Sequence, residues 1–370
     1  MKPIFLHIGA HKTGSSAIQS SLRNLHNLKW QLLKPDPSGN PNSSLAIQAI
    51  FQTTKPVSVP KHIAGEGSRW DDLRRSATNL LEQTIETSSS SNFILSGEEM
   101  SNFNDEEFFL LRYKCRQLGL DPYIIGYLRK LGERASSAFQ QRLFGMPLRT
   151  GLAYMAERSL GDIIPRLEPN YGRLVASLKN CFPMNRIRLF GFDRNSFPLK
   201  SVVIDFCKRL GIDQSEALSP ADPNESLSTL AVKVLWIQGH AWPDKLPGSL
   251  HGKDMRQLKK ELSGFPKFSF SPIMLEPYIK EWSKNLGEAQ SILEDANGFA
   301  LDEINASAKS DDDISSGEDL ARLGDSERIR LKEIVSSFDE SSPRFTNDIE
   351  LVSSYFASLH KRSKQTPRQP

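Results

Sequence analysis

Close to the start of the chain the sequence reads Ile4-Phe5-Leu6-His7-Ile8-Gly9-Ala10-His11-Lys12-Thr13-Gly14-Ser15-Ser16. The apolar run that opens this stretch is typical of a strand covered on both faces. A helical pattern begins near Ser15 and continues to about Trp30, with Ile18, Leu22 and Leu25 on one stripe. The stretch therefore predicts a strand, a tight turn and a helix, which together start a βα unit.

Three further apolar runs have the same character, and each is followed by a turn or a polar segment. They are Asn92–Leu95, Tyr123–Leu128 and Ile187–Phe192. Helical patterns cover Asp71–Glu86 and Val202–Leu210, and Gly211 follows the second in the position that favours a left-handed cap. Strands that alternate with helices predict an α/β fold, a three-layer α/β/α sandwich with a central, mostly parallel sheet.

The composition limits the class of protein. The 370 residues include 47 Lys and Arg against 44 Asp and Glu, so the net charge is only +3. Nucleic-acid-binding proteins usually carry a strong basic excess, and no such partner is expected here. The cysteines Cys115, Cys181 and Cys207 stand far apart without a CxxC pair. We expect three buried or half-buried thiols, with neither a disulfide framework nor a metal site.

Stretches rich in polar residues indicate where the expected domain, extension and tail of the chain begin and end. We expect an α/β domain over residues 1–303, with a surface insertion at about 34–68 that is rich in Pro, Ser, Asn and Gly. Residues 304–357 are expected to form a polar extension that contains helices. Residues 358–370 are charged and rich in Pro and Gln, which predicts a disordered tail.

The sequence also bears on where the protein works. No apolar run approaches the roughly 18 residues that a membrane-spanning helix needs. The apolar run at the start is too short for the core of a secretion signal. We therefore expect a soluble, cytoplasmic protein without a transmembrane segment.

The turn after the first predicted strand has the composition of an anion-binding loop. Gly9 and Gly14 allow the backbone to approach an anion closely, and Lys12 adds a full positive charge. Hydroxyl donors are present at Thr13, Ser15 and Ser16. The lysine precedes the second glycine, so the order differs from the Walker A pattern GxxxxGK[ST]. An ordinary βα turn with a serine cap stays open as an alternative.

Two histidines belong to this stretch. His11 lies inside the loop and is a candidate hydrogen-bond donor to a bound nucleotide or to a second substrate. His7 belongs to the predicted strand, where we expect a core histidine with satisfied hydrogen bonds.

The sequence from His7 to Gln19 resembles the 5′-phosphosulfate loop of sulfotransferases that use 3′-phosphoadenosine-5′-phosphosulfate (PAPS), in particular those of the bacterial branch. The resemblance implies an α/β fold of the P-loop nucleotide-binding type and extends over about residues 2–235. It also implies a set of residues that hold the 5′-phosphosulfate. They are His11, Lys12, Thr13, Gly14, Ser15 and Ser16. The glycine-containing 3′-phosphate loop that the family has near its C-terminus is not evident.

A second match concerns the 3′-phosphate of PAPS. The family binds it with an Arg at the end of the third strand and a Ser eight residues later. Here Arg129 follows the run Tyr123–Leu128, and Ser137 stands at that spacing. A guanidinium can donate two hydrogen bonds to phosphate oxygens, and a helix hydroxyl can reach the same group. Ser136 stays open as an alternative to Ser137.

A third match follows the second predicted strand, where the sequence reads Ser96-Gly97-Glu98-Glu99. Ligands of open α/β sheets bind at the carboxyl ends of the strands, so either carboxylate is a candidate for the site. The Ser-x-Glu pattern resembles the bacterial sulfotransferases, which favours Glu98.

The resemblance implies an enzyme that transfers a sulfuryl group from PAPS to a hydroxyl or amine of a carbohydrate, lipid or small-molecule acceptor. Lys12 would neutralise charge on the leaving oxygen, and Glu98 would take the proton of the acceptor. No metal is required, because the donor is already activated. Two alternatives stay open: an ATP-dependent kinase with the same anion loop, and a nucleotide-binding module without activity.

Overall fold

The computed structural model describes residues 1–9, 13–39, 42–52, 67–144, 158–217, 226–241, 252–294, 299–303, 314–337 and 345–365. The chain forms two compact units. The first contains Met1–Lys130, Asn170–Asn224 and Ser283–Glu303, and the second contains Leu131–Pro169, Glu225–Trp282 and Ile304–Pro370. The domain borders expected from the sequence stay a prediction.

The first unit holds a six-stranded sheet whose strands all run parallel. The strands are β1 Lys2–Gly9, β2 Trp30–Leu33, β3 Asn92–Gly97, β4 Leu120–Leu128, β5 Ile187–Gly191 and β6 Leu293–Glu294. Their spatial order is β2-β3-β1-β4-β5-β6, so β1 lies between β3 and β4. The runs predicted as strands are confirmed, and the two short edge strands β2 and β6 were not predicted.

The described helices are, in chain order, α1 Ser15–Ser21, α2 Ser44–Phe51, α3 Gly67–Thr87, α4 Asp105–Gln117, α5 Leu131–Phe144, α6 Leu160–Ile163, α7 Tyr171–Cys181, α8 Val202–Leu210, α9 Thr229–Ala241, α10 Gly252–Glu261, α11 Pro272–Ser283, α12 Gly317–Ala321, α13 Asp325–Ser336 and α14 Asp348–Gln365. Several are joined by short 3₁₀ turns, of which Glu98–Asn102 directly follows β3. Among the helices that the structure describes, none combines the length and the apolar character needed to cross a membrane.

Helices cover both faces of the sheet. On one face, α1 and α8 share a hydrophobic core with alternate strand residues. The strand residues of this core include Ile94, Ile125, Tyr127 and Phe190. The intervening strand residues Leu6, Leu95 and Ile124 are buried as well, while α2 contacts β3 and α4 contacts β4. A parallel sheet buried on both faces confirms the three-layer α/β/α sandwich predicted from the sequence.

The first helix is shorter than the sequence predicted. It was expected to reach Trp30, but α1 ends at Ser21 and the chain turns into β2. The side chain of Asn27 accepts hydrogen bonds from the backbone N–H groups two and three residues ahead. Such a local bond stabilises a turn in competition with a helix. The predicted end of helix α8 is confirmed, because Gly211 follows it with a left-handed φ of 67°.

Two segments, one predicted as a surface insertion and the other as a disordered tail, contain helix. Helix α2 lies within the predicted insertion 34–68, yet Ile47 and Phe51 are buried and Trp70 packs against Ala49. Helix α14 extends to Gln365, although disorder was expected from residue 358. The reason is the fully buried Leu359. Residues 53–66 and 366–370 lie outside the described part of the chain.

The second unit is built from helices around an aromatic core. The ring of Phe139 on α5 contacts the rings of Trp236, Phe268 and Phe270, and all four are buried. Helix α9 contacts α12 and α14, and α13 packs on α14. These aromatic side chains therefore serve the packing of the unit.

Candidate functional site

The carboxyl ends of β1, β3 and β4 lie side by side at one edge of the sheet. In the register of these strands, Ile8 lies opposite Gly97 and Gly9 lies opposite Tyr127. Neighbouring strands are about 4.8 Å apart. Glu98 directly follows β3 and Arg129 directly follows β4, so both flank the point where β1 leads into the candidate anion loop. Within the first unit, the structure brings these sequence candidates together.

Five of the eight residues of the candidate anion loop, Gly9–Ser16, are described. Ala10, His11 and Lys12 lie outside the described residues, so the roles of His11 and Lys12 stay predictions. Thr13 is fully buried and Ser16 is exposed. Gly14 has a left-handed φ of 78°, and a Cβ at this position would lie 2.6 Å from Cγ1 of Val202. Glycine therefore suits both the backbone conformation and the packing at this position.

Ser15 packs directly over Gly9. A Cβ added to Gly9 would lie 1.8 Å from the Oγ atom of Ser15, so the serine hydroxyl occupies the space of the missing side chain. Ser15 is only 4% exposed, and its Oγ atom has no hydrogen-bond partner among the described residues. A buried hydroxyl without a partner costs free energy, so Ser15 is a candidate donor to a bound ligand. This hydroxyl lies at the base of the candidate anion loop.

A buried polar network lies beside this serine. Nδ1 of His7 is 2.8 Å from Oγ of Ser96 on the neighbouring strand. The side-chain amide of Gln19 on α1 donates to the Oγ and the backbone oxygen of Ser96, at 3.1 and 3.3 Å. Burial lowers the pKa of His7 from 6.5 to about 3, which keeps its ring neutral at neutral pH.

The second ring nitrogen of His7 distinguishes this residue from the expected satisfied core histidine. His7 is fully buried, as predicted, but its Nε2 atom has no partner among the described residues. Its Cε1 atom lies 3.7 Å from the position of a Cβ on Gly9, which Ser15 also approaches. Within the described part of the chain the expectation of full satisfaction is therefore not met, because Nδ1 lies against Ser96 and Nε2 finds no partner there.

The two glutamates after β3 have different surroundings. The carboxylate of Glu99 accepts hydrogen bonds from the side-chain amides of Gln48 and Asn102, at 3.3 and 3.0 Å. The backbone N–H of Glu98 donates to Oγ of Ser44 on α2 at 3.1 Å. This bond fixes the start of the 3₁₀ turn beside β1. Glu99 thus has a structural role within the first unit, whereas Glu98 directly follows the end of β3.

Arg129 is held at the end of β4 by two aromatic residues. Its backbone N–H donates to the hydroxyl of Tyr171 at 3.1 Å. Its guanidinium carbon lies 5.5 Å from the ring centroid of Phe192, which follows β5. The side chain is half-buried. A half-buried guanidinium next to an aromatic ring has little conformational freedom, which favours binding of an anion in one geometry.

The two serine candidates on α5 differ in their hydrogen bonds. The hydroxyl of Ser136 donates to the backbone oxygen of Gly132 at 3.1 Å and accepts from the backbone N–H of Phe270 at 3.1 Å. Ser137 is half-buried, and no hydrogen bond of its hydroxyl is found among the described residues. Both serines belong to the second unit, whereas Arg129 belongs to the first.

Sequence reasoning missed how His7, Ser96 and Gln19 act together. Each lies within a stretch that resembles known loops, but their contacts join residues 77 and 89 positions apart. The sequence feature that could have indicated this network is the polarity of His7 and Ser96, which interrupt otherwise apolar strands. No sequence pattern indicated that Tyr171 and Phe192 contact Arg129.

Comparisons of the chain with protein-family models, with curated proteins and with solved structures find no match. A function for this chain is therefore inferred from its own residues.

Proposed function

We propose that the chain is a PAPS-dependent sulfotransferase. It would transfer the sulfuryl group of PAPS to a hydroxyl or amine of a carbohydrate, lipid or small-molecule acceptor and release adenosine 3′,5′-bisphosphate. The proposal combines the resemblance of the loop at residues 7–19 with the position of that loop at the end of the central strand β1.

The observation that carries the proposal is the buried hydroxyl of Ser15 over Gly9, which has no hydrogen-bond partner in the described part of the chain. A phosphate or sulfate oxygen can only accept hydrogen bonds, and the Ser15 hydroxyl is a donor without an acceptor. The Ser15 hydroxyl therefore fits an anion held in the loop. If the serine served only to cap helix α1, its hydroxyl would already have a hydrogen-bond partner.

The other candidates have roles that follow from their positions. Lys12 would neutralise the negative charge that develops on the oxygen leaving sulfur, with Thr13 and Ser15 donating to the 5′-phosphate. Glu98, on the neighbouring strand end, would take the proton of the acceptor as it attacks sulfur. Arg129, on the other neighbouring strand end, would bind the 3′-phosphate, while the role of Ser137 stays a prediction from the sequence.

A thermal-shift experiment tests the nucleotide. Adenosine 3′,5′-bisphosphate is expected to raise the melting temperature by mass action, and more than ATP with Mg²⁺ at the same concentration. A larger shift with ATP and Mg²⁺ would favour the kinase alternative. No shift with any nucleotide would overturn the proposal.

Turnover tests the chemistry. With ³⁵S-labelled PAPS and a panel of carbohydrate, lipid and small-molecule acceptors, the protein is expected to form a labelled product. Lys12→Ala should reduce the rate by about 10²–10³-fold, because it removes the charge that stabilises the leaving oxygen. Lys208→Ala, which changes an exposed lysine of α8, is the matched control. Binding of the bisphosphate without turnover on any acceptor would favour the inactive module.

A further inference from the structure

Four polar side chains lie next to one another between the sheet and helix α1. Gln19 donates to Ser96, Ser96 contacts Nδ1 of His7, and Cε1 of His7 and Oγ of Ser15 lie 3.7 and 1.8 Å from the position of a Cβ on Gly9. All four are at most 4% exposed. Nε2 of His7 and Oγ of Ser15 have no partner among the described residues.

The direction of these hydrogen bonds follows from the protons available. The Gln19 amide donates to Oγ of Ser96, so that oxygen already acts as an acceptor. The single hydroxyl proton of Ser96 has one acceptor among the described residues, Nδ1 of His7. With Ser96 donating to it, Nδ1 is unprotonated and the proton of the neutral imidazole lies on Nε2. The unpartnered nitrogen of His7 is thus a donor.

We propose that these residues form a directed chain of hydrogen-bond donors that orients the anion-binding serine. This inference rests on the proposed function. Gln19 donates to Ser96, Ser96 to His7, and Nε2–H of His7 to Oγ of Ser15 when an anion is bound. The hydroxyl proton of Ser15 then points to a phosphate oxygen of the donor. His7 is a positioning residue in this chain.

The arrangement has a physical advantage over a lone serine. A serine hydroxyl rotates freely and can present either its proton or its lone pairs, but an anion accepts only the proton. When the Nε2–H of a neutral His7 donates to a lone pair of the Ser15 oxygen, the Ser15 proton is the part of the hydroxyl left to face the anion. Hydrogen bonds that all run in one direction also polarise each other, which strengthens the last one.

The tautomer of His7 provides a test without any ligand. In protein labelled with ¹⁵N-histidine, the couplings of the His7 ring are expected to show a proton on Nε2 and none on Nδ1. His7→Gln identifies the signal. In Ser96→Ala the preference for this tautomer should weaken, because the donor to Nδ1 is gone. A wild-type His7 protonated on Nδ1 would overturn the proposal.

A double-mutant cycle tests the link to the anion. Ser15→Ala and Ser96→Ala are each expected to weaken binding of adenosine 3′,5′-bisphosphate by about 2–10-fold, the usual effect of one hydrogen bond. Because both belong to one chain, the double variant should lose clearly less affinity than the product of the two losses. The free energy of unfolding, measured on the same variants, should show no such coupling. Independent effects on binding would overturn the proposal.

A parallel titration with inorganic phosphate separates this inference from the proposed function. If phosphate binds with the same coupling between Ser15 and Ser96 but the bisphosphate binds no more tightly, the sulfotransferase assignment fails and the donor chain stands. If the bisphosphate binds tightly without coupling, the assignment stands and the donor chain fails. If neither anion binds, both fail.

Discussion

Two buried polar networks lie on the same face of the sheet and differ in whether their atoms are satisfied. In the first, the hydroxyl of Tyr127 donates to Asp205 at 2.7 Å, and Arg209 donates to the same carboxylate at 2.6 Å. The Arg209 guanidinium also stacks on the ring of Phe190, with its central carbon 3.6 Å from the ring centroid. Burial, followed by the charge of Asp205, raises the pKa of Tyr127 well above its usual range, so the phenol stays protonated.

The second network, His7 with Ser96 and Gln19, ends beside the unpartnered hydroxyl of Ser15. The first network joins β4 to α8 and has paired charges, so it is explained by stability alone. The second has two polar atoms that find no partner among the residues that the structure describes, at the carboxyl end of the central strand. A closed network points to folding, and an open network at a strand end points to a ligand.

The largest expected effect comes from the two glutamates after β3, of which only Glu98 is proposed to take part in the reaction. Glu98→Gln should reduce the turnover number by about 10²–10⁴-fold, because glutamine cannot take the proton of the acceptor. The affinity for adenosine 3′,5′-bisphosphate should stay almost unchanged. Steady-state kinetics and a binding titration measure the two quantities.

Glu99→Gln is the matched control, since the carboxylate of Glu99 already accepts two side-chain amides. It should retain most of the activity. If Glu99→Gln is the variant that loses turnover, the base is Glu99; if neither variant does, the proton is taken elsewhere, and His11 is the next residue to change.

Arg129→Ala should weaken binding of adenosine 3′,5′-bisphosphate by about tenfold or more, since a charge-assisted hydrogen bond contributes roughly 1.5–3 kcal/mol. Adenosine 5′-phosphosulfate lacks the 3′-phosphate and should lose much less affinity. Isothermal titration with both ligands measures the difference. Arg116→Ala on α4, an exposed arginine, controls for the loss of general positive charge. Equal losses for the two ligands would show that Arg129 binds another group.

A direct comparison of the two networks separates folding from binding. Tyr127→Phe should lower the free energy of unfolding by about 1–2 kcal/mol, because it removes a buried hydrogen bond to a charged group, and should leave bisphosphate affinity unchanged. Ser15→Ala should do the opposite: stability is kept or slightly raised, since an unpartnered hydroxyl is removed, and affinity falls. Urea unfolding and ligand titration of both variants check this. Loss of stability in Ser15→Ala would contradict the open network.

The smallest effect concerns acid. His7 is neutral in the folded protein down to a pKa of about 3, whereas the unfolded chain binds its proton below about 6.5. The unfolded state therefore holds more protons in this range, and stability falls as the pH is lowered from 6.5 toward 3. Urea unfolding at several pH values should show a shallower fall in His7→Gln. Equal slopes would show that His7 is not buried in its neutral form.

The sequence predicted the core of the fold because long apolar runs and helical periodicity are local signals. It placed β1, β3, β4 and β5, and it placed α8 with its glycine cap. It missed β2 and β6, which have four and two residues. Such short edge strands form only where a neighbouring strand offers its backbone, so their own residues carry little signal. The helix α2 was missed for a similar reason, because its apolar residues stand between stretches rich in Pro and Ser.

The sequence by itself determined the candidate residues at the strand ends and the chemistry expected of them, since a glycine-rich turn after a strand can be identified from a few neighbouring residues. Only the tertiary structure decided which polar atoms have partners. It gave Glu99 and Ser136 hydrogen-bond partners, and it left Oγ of Ser15 and Nε2 of His7 without a partner among the described residues. Satisfaction depends on residues far apart in the chain that folding brings within about 3 Å, a distance that no local pattern encodes.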